Sequence, residues 1–169
     1  MMMVGIADFI SNRLAGSLWH TTSVARFGSI LATGFIMVEP GLPEKERYGG
    51  DPFVRSLGGV SLFDFPAGFD FEKYNAEIPT NSLGEFVPFK RSWGHSVWLR
   101  LDTDALALGI RSGKAIRALW KDLGSVKRFI AEVEGAHLGD IPIGEIADAY
   151  QIGEGDEDWT CLNHTLRLA

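Results

Sequence analysis

Glu132 and Glu134 stand two apart in the run Arg128-Phe129-Ile130-Ala131-Glu132-Val133-Glu134, whose alternation predicts a β-strand. A period of two then sets both carboxylates on one face, with Val133 on the other. Like charges held together repel, which raises the pKa of one and suits acid–base work or stabilisation of a developing cation. The same pattern also describes an exposed edge strand that simply carries charge. A second polar group is His20-Thr21-Thr22, read as the corner at the end of a short strand over 17–20. It precedes a helix over 24–33 that Ser23 caps and Gly34 stops. Polar side chains beside a helix N-terminus can converge on an anionic ligand, although a satisfied histidine at a turn has the same sequence. A third element, Gly59-Val60-Ser61-Leu62-Phe63, reads as a strand that carries one hydroxyl.

Other chemistries lack their residues. His20, His95, His137 and His164 show no metal-ligand spacing, and the lone Cys161 completes no zinc site, so no metal is expected. Cys161 and His164 are too close in sequence to form a pre-organised nucleophile pair, and Cys161 is expected to be buried in a C-terminal strand. Neither a GxGxxG nor a P-loop occurs.

The elements that must position these groups suit an α+β chain. At 169 residues, 46% hydrophobic and 22% charged, the sequence describes one domain over 1–169 with a real core. Twenty glycines call for many tight turns. A net charge of −6 weighs against broad contact with a phosphate backbone, and a single cysteine suits a reducing compartment. The start lacks a basic segment and a long apolar run, and no later stretch is long enough to span a membrane, so a cytoplasmic location is expected. Further expectations are an opening helix over 4–14, a loop over 35–51 and a strand over 95–102. Beyond these come a helix capped by Ser112 with Ile116, Leu119, Trp120 and Leu123 on one face, a turn at Ile141-Pro142-Ile143 and a strand over 147–152. His137 reads as an accessory group or a turn residue, and residues 70–94 fit no element.

Three blocks in this order carry a likeness: His20-Thr21-Thr22 with the helix exit Ile30-Leu31-x-x-Gly34, Gly59-Val60-Ser61-Leu62, and Ala131-Glu132-Val133-Glu134. Together they resemble the ADP-ribosyltransferase superfamily, nearest to its DarT-like and RNA 2′-phosphotransferase branch, over about a third of the chain. The resemblance implies a split β-sheet core with flanking helices and NAD as co-substrate. It implies an enzyme that transfers ADP-ribose to a protein or nucleic acid, in the manner of a toxin or phage-defence component with a cognate antitoxin. An RNA 2′-phosphotransferase and a non-catalytic nucleotide- or partner-binding module are the alternatives. His20, Thr21, Thr22 and Gly34 would border NAD, Ser61 would support the nicotinamide pocket, and Arg47, Tyr48 and Arg55 would reach the pyrophosphate or nicotinamide. Either Glu132 or Glu134 would be the catalytic carboxylate. The Ala-Glu context and the downstream Ile-Pro-Ile turn favour Glu132, while the Glu-x-Glu spacing of arginine-modifying members favours Glu134. The stretch from Asp70 to Gly94 departs from the DarT-like pattern.

Overall fold

The computed structural model describes residues 5–41 and 51–169. Its centre is β1 (Leu18–Ser23), which continues past the expected corner so that His20, Thr21 and Thr22 lie within a strand. The cause is β4 (His95–Leu101), whose residues pair antiparallel with β1 from Trp19↔Arg100 to Ser23↔Ser96 and hold it extended. The other strands are β2 (Phe35–Ile36), β3 (Gly59–Asp64), β5 (Ile110–Arg111), β6 (Glu134–Leu138), β7 (Ile141–Pro142), β8 (Ile146–Gly153) and β9 (Thr160–Cys161). Seven form one sheet in the order β5-β6-β3-β1-β4-β8-β9, and β2 pairs with β7 separately. Every paired neighbour runs antiparallel. The α+β expectation holds at this level.

Strand alternation sorts the core by face. Trp19 lies opposite Phe63, and Phe63 opposite Glu134, so these three share one face. Trp19 and Phe63 pack there with Phe9, Ile10 and Leu14, supplied by α1 (Ile6–Phe9) and its π-helical continuation, and with Tyr74 of α4 (Phe71–Glu77). The other face presents Leu18, Leu62, Val97 and Leu99 to Phe27 and Ile30 of α2 (Val24–Thr33). That helix forms as its sequence predicts: Ser23 Oγ accepts from the Arg26 amide at 3.2 Å, and Gly34 takes the left-handed stop at φ 80°. A third cluster joins Phe53 and Val54 of α3 (Phe53–Ser56) to Ile116 of α5 (Gly113–Asp122) and Ala136.

The sheet is not continuous across its middle. β1 and β3 pair at Leu18↔Asp64 and Trp19↔Phe63 and then part. Past that point β1 stays with β4, while β3 stays with β6 as far as Gly59↔Leu138. A gap therefore opens between His20 and Ser61.

Several expectations are corrected. Residues 128–133 form no strand: Ala131–Val133 is a turn, and β6 begins only at Glu134. Ile130 and Val133 are buried through this turn without strand pairing, three residues apart, a spacing that strand alternation does not give. Glu132 takes φ 67°, the Tyr74 hydroxyl donates to the Ala131 carbonyl at 2.7 Å, and the Gly113 amide donates to Asp64 Oδ2 at 2.9 Å. The last contact brings the start of α5 so close that a Cβ on Gly113 would lie 2.1 Å from the Glu132 carbonyl oxygen. Cys161 is exposed, because β9 is a two-residue edge strand leading into α6 (Asn163–Arg167). On α5, Ser112 caps as expected, yet Leu119 and Leu123 are exposed, since only the Ile116 and Trp120 side meets the core. Residues 70–94 contain α4, capped by Asp70, and two short 3-10 turns. Among the described residues, no helix is long and apolar enough to cross a membrane.

Gly113→Ala forces its new methyl group into the 131–133 turn, so it is expected to destabilise the fold by at least about 2 kcal/mol. Equilibrium urea unfolding checks this, and an unchanged midpoint would contradict the close approach.

Candidate functional site

A cavity of about 260 Å³ occupies the gap between β1 and β3. Arg26, Ser29, Ile30 and Thr33, one stripe of α2, border it from one side of the sheet, and Phe63, Phe86 and Ile130 border it from the other. His20 shares the face of Leu18 and Leu62, whereas Ser61 shares the face of Phe63 and Glu134. All of these polar groups line the one cavity, which passes through the sheet.

Glu134 is its most unusual group. It is only 3% exposed. Ser61, diagonal to it across the β3–β6 ladder, donates its hydroxyl to Oε1 at 2.8 Å. The other oxygen, Oε2, is buried and has no hydrogen-bond partner among the described residues. Burial raises the Glu134 pKa to about 7, against the opposing pull of the Ser61 hydroxyl and a backbone group of Ile130. A carboxyl in this state holds or releases a proton near neutrality, and its unpartnered oxygen can receive a donor or a cation.

His20 crosses the gap. Its Nδ1 lies 2.9 Å from the Ser61 carbonyl, which only accepts, so Nδ1 carries the proton. Burial lowers the His20 pKa, the Ser61 carbonyl opposes that, and Arg26 adds to the lowering. A neutral ring protonated at Nδ1 keeps Nε2 as an acceptor, suited to a hydroxyl donor. Thr21 donates to the Val97 carbonyl at 3.3 Å, and Thr22 is buried, both at the cavity wall. Arg55 also lines the cavity and forks onto the Glu39 carboxylate through Nε and Nη2.

The remaining sequence candidates fall elsewhere. Glu132 pairs with Arg117 in the turn and is not among the cavity-lining residues, so the expected shared face with Glu134 does not exist. On this geometry Glu134, not Glu132, is the candidate carboxylate. Gly34 ends α2 and takes the Ile143 amide on its carbonyl at 2.8 Å, outside the lining. His137 is a buried β6 residue whose Nδ1 lies 2.9 Å from the Gly139 carbonyl. Arg47 and Tyr48 lie outside the described residues. Sequence reasoning missed Arg26 and Trp93, which border the cavity with the Arg26 guanidinium 5.8 Å from the Trp93 ring centre. The spacing of Arg26, Ser29 and Thr33 was the available signal for this stripe, since it matches the helical period. Trp93 sits in a stretch without periodicity. No family model, curated protein or solved structure matches the chain.

Two outcomes follow. A carboxyl whose pKa is higher folded than unfolded stabilises the fold fully below the unfolded value of 4.5, and loses that contribution as pH rises through about 7. Glu134→Gln is therefore expected to remove a decline in stability across this window. At pH 8 the variant should be more stable than the parent, by an amount on the order of 2–3 kcal/mol. Urea unfolding at pH 5 and pH 8 measures both chains, and parallel pH profiles would contradict the buried carboxyl. Glu132→Gly relieves a left-handed backbone at the loss of a half-exposed ion pair, so stability should change by less than about 1 kcal/mol. A larger loss in the same assay would show that the turn needs the Glu132 side chain.

Proposed function

We propose that the cavity binds NAD and that the chain is an ADP-ribosyltransferase-like enzyme, transferring ADP-ribose to a protein or nucleic-acid acceptor. The observation that carries this reading is the buried Glu134 carboxyl, fixed by Ser61 with Oε2 unpartnered among the described residues, at a gap in the sheet that His20 spans. A histidine on one strand, a serine on the next and a late glutamate are the three groups the resemblance calls for, and here all three line one cavity. Convergence on a cavity favours catalysis over a passive binding module.

Breaking the bond between nicotinamide and ribose C1′ sends the bonding electrons out with nicotinamide and leaves oxocarbenium character on the ribose, as in glycoside hydrolysis. Ionised Glu134, itself only 3% exposed, faces that charge, and a fixed, desolvated carboxylate stabilises it far more than one in bulk solvent. Ser61 holds the carboxylate in position. The acceptor oxygen or nitrogen then bonds to C1′ and gives up its proton, which Glu134 can take because its pKa lies near 7. Neutral His20 offers Nε2 to a ribose hydroxyl. Arg55 or Arg26 supplies positive charge toward the diphosphate.

Nicotinamide release, followed with and without candidate acceptors, tests the reading. Glu134→Gln should lower it by about 10²–10³-fold, as for loss of one fixed electrostatic group, while Glu132→Gly retains it. Absence of release together with no rise in melting temperature at millimolar NAD would contradict the NAD reading and leave a binding module.

A further inference from the structure

Arg55 is a well-enclosed cation of the cavity wall. Its side chain is 13% exposed, it borders the cavity, and its guanidinium fork is engaged by Glu39, whose own side chain is 66% exposed. Glu39 lies in the segment that follows β2; it is not itself a lining residue, but its neighbours Met37, Val38 and Pro40 are. That segment has its own anchor, since the Val38 amide donates to Asp140 Oδ1 at 2.7 Å. Release of Glu39 would leave the anchor in place. Asp51 also bears on Arg55, but Lys127 engages the Asp51 carboxylate.

We propose that Glu39 is an internal competitor for Arg55: its carboxylate stands where a phosphate of the bound ligand docks, and binding exchanges one anion for the other on the same guanidinium fork. The inference rests on the reading of the cavity as a dinucleotide site and deepens it, by naming the residue that receives the diphosphate and the one that sets its affinity. The physical case is the geometry of the fork. A planar guanidinium pairs with a carboxylate or a phosphate through the same fork, and a diphosphate brings two negative charges where the carboxylate brings one. An ion pair with one largely exposed partner is weak, so it yields readily yet still subtracts from the affinity of whatever displaces it. Ligands without a phosphate have no means of displacing Glu39 and gain nothing from its removal.

Calorimetric titration of the whole protein with NAD, inorganic pyrophosphate and adenosine tests the exchange in the parent, Glu39→Gln, Arg55→Gln and the double variant. Glu39 is exposed, so its substitution should leave the melting temperature nearly unchanged, and melting curves confirm folding of each variant. Glu39→Gln should tighten NAD and pyrophosphate by roughly three- to tenfold and leave adenosine unchanged. The gain should vanish when Arg55→Gln is also present. NAD binding that Glu39→Gln does not tighten would overturn the exchange while leaving the NAD reading standing. Pyrophosphate binding that tightens in Glu39→Gln, with no NAD binding in any chain, would support the exchange and overturn the NAD reading. No binding of either anion in any chain would overturn both.

Discussion

After Trp19 and Phe63, β1 and β3 cease to be ladder partners, although each keeps its other neighbour: β4 for β1 and β6 for β3. This parting creates the space on which the rest of the site depends. A closed sheet continued in the same register would set His20 opposite Leu62 and Thr21 opposite Ser61, with no cavity between the strands. Instead the His20 imidazole takes the Ser61 carbonyl, so a side chain does what a backbone amide would do in a continuous sheet. The aromatic pairing just before the gap holds its closed end, with Phe63 packed on Trp98 at 5.2 Å between ring centres.

Burial of Glu134 in this gap carries a free-energy cost that the core has to absorb. A carboxyl with one oxygen unpartnered among the described residues is poorly placed for stability, and its burial pushes its pKa up. The nearby turn supplies the rigidity: the Tyr74 hydroxyl on the Ala131 carbonyl and the Gly113 amide on Asp64 tie both sides of the residues that precede β6. Stability given up at a fixed polar group is common where that group performs chemistry. Glu132 shows the contrast, since its half-exposed pairing with Arg117 leaves it as part of the turn.

Much of the frame was legible because it depends on local rules. The Ser23 cap, the Gly34 stop and the strands at Gly59 and His95 follow from propensity and periodicity, and the structure has all of them. What was not legible depends on pairing and on backbone angles that these residue types disfavour. Thr21-Thr22-Ser23 looks like a turn leading to a cap until β4 holds it extended. Glu is not a residue from which a φ of 67° is expected, so the alternation through Glu132 appeared to continue as strand. Choosing between the two glutamates required that turn. The extent of β1–β3 pairing, and hence the cavity, has no signature in either strand alone. The groups from residues 86–93, a stretch without periodicity, came into view only with the packing.

The most direct test is a pH titration of the Glu134 side-chain carboxyl by 13C NMR, with Glu134→Gln assigning the resonance, in the absence and presence of NAD. An apparent pKa near 7 is expected in the free protein, moving downward with NAD as the positively charged nicotinamide end favours the ionised carboxylate. A carboxyl that titrates at its ordinary value of 4.5, or one that NAD leaves unmoved, would contradict this expectation.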